Sequence, residues 1–221
     1  MKKRDASIAA VLGAAVLFSA AACRGSAPLY YGESSIGFSA ILLRARILLP
    51  EGETEDGRIT MNLESEDGDE RYRVAFLPGK TSLLRVEPGL YRLYPPRDLF
   101  GFPQTQVKVR VQNRTYSVPF PRELLRMESF SVKPAKAFPI GVLEARLIPM
   151  GKKEKPKVVL RLDHGVAVRR ALVQDVISKM MDPKTPQTLR DSAITWTRAL
   201  EQALVKIQGE EERAPSYKPS P

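Results

Sequence analysis

Apolar and polar residues alternate in short runs along most of this chain, from residue 36 to residue 163. Ile59, Met61 and Leu63 alternate with polar neighbours, and Asp67-Gly68 separates this run from the next one. A period of two places successive side chains on opposite faces of a β-strand, and Asp-Gly between two such runs is a strong hairpin signal. The pattern therefore predicts a mainly β fold over residues 36–163, an antiparallel β-sandwich or barrel.

The predicted strands are short and are separated by turn residues such as Pro78-Gly79 and Pro88-Gly89. Beyond the first strand they cover residues 58–63, 71–76, 83–87, 90–94, 106–111, 115–120, 130–133, 141–147 and 157–162. The first strand differs from the others, because its alternation changes phase at Leu42–Leu43. A change of phase within one strand predicts a β-bulge at that point.

The period of the apolar residues changes after Gly165, where they recur at helical spacing as far as Met180. Asp182-Pro183 ends this predicted helix. A second predicted helix begins with Thr185 as its cap and Pro186 in its first turn. The chain therefore ends in two helices over residues 166–208.

The second predicted helix carries apolar residues in alternating steps of four and three, as in a heptad pattern. They are Leu189, Ala193, Trp196, Leu200, Ala203 and Ile207. Two arrangements fit this pattern: a helical hairpin packed on the sandwich or on itself, or a coiled coil with another chain. Trp196 is the candidate contact residue of the helices. Gly209 ends the helix, and the charged, proline-rich residues 210–221 are predicted to be disordered.

Residues 1–22 have the composition of a secretory signal peptide. Lys2, Lys3 and Arg4 precede an apolar run over residues 6–18, and small residues follow as far as Ala22. The apolar run is shorter than the roughly 20 residues that a transmembrane helix needs. The N-terminus therefore predicts a cleaved export signal rather than a permanent membrane span.

The end of this signal, Ala20-Ala21-Ala22-Cys23, holds the one cysteine of the chain and resembles the lipobox of bacterial lipoproteins. The resemblance implies that the Cys23 thiol receives a diacylglyceryl group and that the new amino terminus is acylated. Arg24, where the family's inner-membrane retention signal has Asp, implies the periplasmic face of the outer membrane. Residues 23–35 would then form a flexible tether. Ordinary cleavage after Ala22, leaving a free thiol, is the alternative.

A second resemblance concerns the fold. The segment over residues 84–102 places Pro88-Gly89 before a strand that contains Tyr91, and in this it is similar to prealbumin-like repeats of the carboxypeptidase regulatory type. The resemblance implies a β-sandwich and no particular activity.

Residues that carry catalysis or bind metals are scarce. His164 is the one histidine, and it follows Asp163 in a predicted polar turn. Lipidation would consume the Cys23 thiol, so neither a cysteine nucleophile nor a zinc site of the usual type is expected. Acidic residues cluster over residues 51–57 and 64–70, but a predicted strand separates the two clusters. We therefore expect no catalytic residue, no metal and no cofactor.

Two features are candidates for binding. One is a set of basic residues that alternate outward on the strands: Arg44, Arg46, Arg71, Arg73, Arg85, Arg92, Lys108 and Arg110. The other is the loop over residues 94–103, in which the candidate binding residues are Tyr94, Arg97, Phe100 and Phe102. The basic residues either form a solvated face or face an anionic surface, and the aromatic rings of the loop either bind a partner or cover one end of the core.

These observations lead to a non-enzymatic, lipid-anchored lipoprotein that acts as a binding or assembly module, with an envelope protein as its partner. The alternative is a basic surface that binds anionic envelope polymers, such as lipopolysaccharide or cell wall, since the formal net charge is +10. A carboxylate-dependent hydrolase is a third possibility. Because the chain is exported, nucleic acid is not an expected partner.

Overall fold

The computed structural model describes residues 38–151, 155–184 and 187–213. It confirms a mainly β architecture with two sheets followed by a helical region, and the sheets are not closed into a barrel. The predicted signal peptide, Cys23 and the tether lie outside the described residues. The same holds for Thr185, Pro186 and the end of the predicted tail, residues 214–221.

Eleven strands and three helices make up the described part of the chain. The strands are β1 (Ser39–Leu49), β2 (Gly52–Thr54), β3 (Gly57–Ser65), β4 (Arg71–Phe76), β5 (Ser82–Val86), β6 (Gly89–Tyr94), β7 (Gln106–Val111), β8 (Arg114–Pro119), β9 (Phe130–Val132), β10 (Ala137–Ile148) and β11 (Lys157–Asp163). The helices are α1 (Arg122–Arg126), α2 (Val166–Met181) and α3 (Gln187–Arg213).

The inner sheet has the order β11-β10-β1, and β2 and β5 both pair with the remaining edge of β1. The pairing of β1 with β10 is parallel, in contrast to the antiparallel prediction. Their register shifts between Leu42 and Leu43, where a bulge was predicted, but Leu42 pairs with Pro139 and Leu43 with Gly141. The extra residue is therefore Ile140 of β10, and β1 itself keeps its alternation.

Both faces of the first half of β1 are buried, which explains the change of phase in its sequence. Ile41 and Leu43 face the core between the two sheets. Ala40 and Leu42 belong to a second core, which lies between the inner sheet and the helices α2 and α3. A strand that is buried on both faces is apolar at successive positions, and such a run can be mistaken for a bulge.

The outer sheet is built around β3. On one edge β3 pairs with β4, as the Asp67-Gly68 hairpin predicted. On the other edge it pairs with both β6 and β7, which follow each other along β3 in the same direction. Tyr94 of β6 pairs with Asn62, and Lys108 of β7 pairs with Thr60. β6 and β7 therefore occupy the position of a single strand that is interrupted between Tyr94 and Gln106. The residues between them form a long excursion from the middle of the sheet.

The helices α2 and α3 form a hairpin that packs on the inner sheet, so the domain has three layers. Trp196 is fully buried in the second core, beside Val173 and Leu200 of the hairpin. The predicted contact residue Trp196 therefore packs within the chain, because the outward face of the inner sheet is itself apolar and requires a cover. Among the described helices, none is long and apolar enough to cross a bilayer.

The helix α3 continues past Gly209 to Arg213, which corrects the predicted end of the helix and the start of the tail. Two ion pairs join its last turns to the start of α2. Arg169 Nη2 lies 2.6 Å from Glu210 Oε2, and Arg170 pairs with Glu211. These contacts give the last turns a partner, so one glycine does not end the helix.

Candidate functional site

The outward face of the outer sheet carries basic residues on three adjacent strands. The strand register places Arg58 of β3 directly opposite Arg110 of β7, and Thr60 opposite Lys108. Arg73 of β4 lies opposite Asn62 on the other edge of β3. We call this surface the cationic floor; its basic residues are Arg58, Arg71, Arg73, Lys108 and Arg110. All of them except the half-buried Arg71 are exposed.

Part of the cationic floor has no compensating charge. Within the described ranges, no ion pair joins Arg58, Lys108 or Arg110 to a carboxylate. Like charges directly opposite each other on paired strands destabilise a sheet, typically by a few tenths of a kcal/mol to about 1 kcal/mol. The arrangement therefore does not serve the stability of the sheet, and an anion lying between these side chains would relieve the repulsion.

The excursion between β6 and β7 rises beside the cationic floor, and we call residues 95–105 the roof loop. Together they enclose an open cleft of about 1030 Å³. Its lining residues are Arg58, Thr60, Asn62, Arg71, Arg73, Pro96, Arg97, Asp98, Leu99, Phe100, Gln104, Lys108, Arg110, Asn113 and Thr115. Six of these residues are basic and one is acidic, so the cleft is strongly cationic.

Hydrogen bonds within the roof loop hold it in one shape. The Asp98 carboxylate accepts hydrogen bonds from the backbone N–H groups of Phe100 and Phe102, each at 2.9 Å. The N–H of Asp98 in turn donates to the carbonyl of Phe102, and that of Gln104 donates to the carbonyl of Pro96. The one acidic residue of the cleft lining is therefore engaged in forming the loop, which is a small hairpin of its own.

Glu64 connects the roof loop to the sheet. Its side chain is buried in the outer sheet, and its Oε1 accepts a hydrogen bond of 2.7 Å from Arg97 Nε of the loop. A second hydrogen bond joins Arg97 Nη2 to Glu64 Oε2, which makes the pair bidentate. Asn62 Nδ2 donates to the same carboxylate at 3.3 Å, and Arg71 Nε lies 3.2 Å from it.

This network determines the protonation of Glu64. Burial by itself would raise the pKa of the Glu64 carboxyl, but the hydrogen bonds from Arg97 and Asn62 and the charges of Arg97 and Arg71 outweigh it. The pKa of Glu64 therefore lies below its ordinary value, and the carboxylate stays ionised under Arg97. Arg97 and Arg71 share the single negative charge of Glu64, whereas Arg58, Lys108 and Arg110 lie farther along the strands.

The tip of the roof loop is apolar and exposed. The exposed fractions are 100% for Leu99, 84% for Phe100 and 68% for Phe102. The rings of Phe100 and Phe102 thus do not cover one end of the core, which was the alternative to binding at the sequence level. Of the other predicted loop residues, Arg97 anchors the loop and Tyr94 is a half-buried residue at the end of β6.

The remaining basic residues of the predicted set do not join the cleft. Arg44, Arg46 and Arg85 lie on the inner sheet, where Arg46 is 3.8 Å from both Glu53 and Glu144. The guanidinium carbon of Arg85 lies 3.4 Å from the ring centre of Phe38. Arg92 belongs to the outer sheet but lies 3.5 Å from Glu66.

Four residues of the cleft were not predicted as site residues: Arg58, Thr60, Asn62 and Gln104. Arg58 alternates with the apolar residues of β3, so the sequence pattern predicts that its side chain lies on the outward face of the strand. Its place beside Arg110 depends on the register between β3 and β7, which are far apart in sequence.

His164, the residue that first suggested catalysis, lies apart from the cleft. His164 lies exposed in the turn before α2, where its carbonyl accepts a hydrogen bond of 3.0 Å from Arg169 Nε. Across the described ranges, no group of His, Cys, Asp and Glu side chains is arranged to hold a metal ion.

Comparisons of the chain with protein-family models, with curated proteins and with solved structures found no match. The interpretation of the cleft therefore depends on its own geometry and charge.

Proposed function

We propose that the chain is a lipid-anchored, non-enzymatic lipoprotein at the periplasmic face of the outer membrane, and that its cationic cleft binds phosphate-bearing envelope molecules. The observation that carries the proposal is the uncompensated group of Arg58, Lys108 and Arg110 beside the roof loop. Guanidinium groups bind phosphate through paired hydrogen bonds, and a group of them on one rigid face suits a ligand with several anionic groups.

Two observations favour the binding of anionic envelope molecules over assembly with a protein partner. Trp196, the helix residue expected to contact a partner, is buried in the second core. The basic residues of the floor other than Arg71, in contrast, are exposed, and all of them are gathered on one face. Charge complementarity therefore supports an anionic ligand.

A direct test measures the binding of deacylated lipopolysaccharide, a soluble phosphorylated saccharide, by isothermal titration calorimetry. The cleft variant carries Arg58→Gln, Lys108→Gln and Arg110→Gln. Each lost charge-assisted contact typically costs about 1.5 kcal/mol or more, so we expect the affinity to fall at least about tenfold. Binding to the wild-type chain should also weaken as the salt concentration rises, because salt screens exposed charges.

The matched control carries Lys155→Gln, Lys157→Gln and Arg161→Gln. These three exposed basic residues lie at β11 and just before it, outside the cleft, and their removal changes the net charge by the same amount. The control variant should bind like the wild-type chain. Equal losses in the two variants would mean that overall charge alone attracts the ligand, and the proposed site would be wrong.

A further inference from the structure

The tip of the roof loop exposes large apolar side chains beside the cationic cleft. Leu99, Phe100 and Phe102 follow closely in sequence, and each is mostly or fully exposed. Isolated exposed apolar residues are common on proteins, but neighbouring large ones on a single projection are unusual and indicate a contact surface.

The tip is held away from the sheet in a fixed position. Arg97 donates to the carbonyl of Gly101 at 2.9 Å and to the buried carboxylate of Glu64, so one guanidinium joins the tip to the outer sheet. Asp98 fixes the backbone at Phe100 and Phe102. The apolar side chains therefore do not need to be ordered when they bind, which lowers the entropic cost of binding.

The apolar tip and the cationic floor belong to the same cleft, because Leu99 and Phe100 line this cleft together with Arg58 and Lys108. A surface that combines exposed large apolar side chains with several adjacent cations matches a bilayer interface that contains anionic lipids. The apolar groups enter the boundary between headgroups and acyl chains, and the cations contact the phosphates. A soluble anionic polymer would use the cations and leave the tip in water.

We infer that the roof loop inserts its tip into an anionic phospholipid bilayer, while the cationic floor contacts the lipid phosphates. The inference rests on the proposed function, since it assigns the phosphate groups of the ligand to a lipid surface. It gives the domain a membrane contact of its own, in addition to the proposed lipid on Cys23. The domain would then contact the bilayer at two points instead of one.

The test places a tryptophan at the tip of the full chain by Phe100→Trp and measures its fluorescence with vesicles that contain brominated phosphatidylcholine. Bromine in the acyl chains quenches tryptophan that reaches them. One set of vesicles also contains phosphatidylglycerol and the other does not. The native Trp196 is fully buried, so the unchanged chain supplies the background signal.

The matched control is Val205→Trp, because Val205 is also an exposed apolar residue, at 67%, but lies on α3 in the helical layer. With anionic vesicles we expect quenching and a shift of emission to shorter wavelength for Phe100→Trp and no change for Val205→Trp. A second tip variant, Phe102→Trp, should behave like Phe100→Trp. Adding the cleft substitutions Arg58→Gln, Lys108→Gln and Arg110→Gln should abolish the quenching.

Three results would overturn the inference: no quenching at either tip position, equal quenching at the tip and at Val205→Trp, or equal quenching with neutral and anionic vesicles. The titration with deacylated lipopolysaccharide separates this failure from that of the proposed function. If the wild-type chain binds the soluble ligand but neither Phe100→Trp nor Phe102→Trp is quenched, only the insertion is wrong. If neither signal appears, the cationic cleft has been misassigned.

Discussion

Glu64 is the residue on which the geometry of the cleft depends. Its buried carboxylate is bound by Arg97 from the roof loop and approached by Arg71 from the sheet, so it links two elements that the backbone joins only at the ends of the loop. Breaking one side of a buried charged pair leaves the other side without compensation, which is costlier than losing an exposed pair. Glu64 therefore acts as a positioning residue for Arg97.

We expect Glu64→Gln to lower the free energy of unfolding by about 1–3 kcal/mol, because charge-assisted hydrogen bonds to Arg97 are lost. The pKa of Glu64 is lowered in the folded state, so its contribution is present above the ordinary value of 4.5 and is lost as the pH falls through the lower pKa. Urea unfolding between neutral and acidic pH should thus show a smaller pH dependence for Glu64→Gln than for the wild-type chain.

The control for this prediction is Glu66→Gln. Glu66 also pairs with an arginine, Arg92, but both side chains are substantially exposed, and such pairs contribute less than about 1 kcal/mol. An equal loss of stability in the two variants, with the same pH dependence, would contradict the special role of Glu64.

At the level of single residues, the sequence predicted Arg97 and Phe100 as site residues but gave Glu64 only as a member of an acidic turn. Glu64 is the last residue but one of β3, and its side chain lies under the roof loop, where it is bound by Arg97. The Glu64 side chain is buried because the roof loop covers it, and this loop begins after Tyr94, 30 residues later in the chain. Local sequence patterns do not show which distant segment will cover a residue.

At the level of elements, the bulge in β10 lies where this strand begins to pair with β11. Gly141 has a φ of 136°, and a Cβ at this position would overlap the carbonyl oxygen of Asp163 on the paired strand. Both the backbone conformation and the close approach therefore require glycine.

We expect Gly141→Ala to lower the free energy of unfolding by at least about 2 kcal/mol, since backbone strain alone costs about 1–3 kcal/mol and the overlap adds to it. Gly151→Ala is the control, because Gly151 has a similar φ of 146° but nothing within 4 Å of the added Cβ. Thermal unfolding followed by circular dichroism measures both. If Gly151→Ala costs as much as Gly141→Ala, the close approach to Asp163 has no effect of its own.

Most elements could be predicted from local patterns, since alternation marked β3, β4 and β7 and helical spacing marked α2. Apart from the hairpin of β3 and β4, the pairing of the strands could not be predicted. The parallel pairing of β1 with β10 joins residues that are distant in sequence, and so does the antiparallel pairing of β7 with β3. The edge of β3 that β7 shares with β6 could not be read from local patterns either. The heptad pattern of α3 predicted the helix and left two arrangements open, and the structure shows the hairpin packed on the inner sheet. Trp196, predicted as a contact residue, is therefore buried in the second core.

At the level of the whole molecule, the three layers separate stability from binding. The core between the sheets and the core under the helices bury the large apolar side chains, while the outward face of the outer sheet holds the cleft. Among the described residues, Arg58, Lys108 and Arg110 of that face form no ion pair with a carboxylate. They can therefore be changed for binding without loss of the core, provided that Glu64 keeps the roof loop in place.

The most direct test of this account is the thermal unfolding of the wild-type chain and of the variant Arg58→Gln/Lys108→Gln/Arg110→Gln, each with and without deacylated lipopolysaccharide. Without ligand, the variant should unfold at the same temperature as the wild type or higher, because repulsion between Arg58 and Arg110 is removed. Ligand at about 100 times the wild-type dissociation constant should stabilise the wild type by about 2.7 kcal/mol. Since the affinity of the variant should be at least about tenfold lower, the same concentration should stabilise the variant by no more than about 1.4 kcal/mol. An equal ligand-induced shift in both proteins would contradict the account.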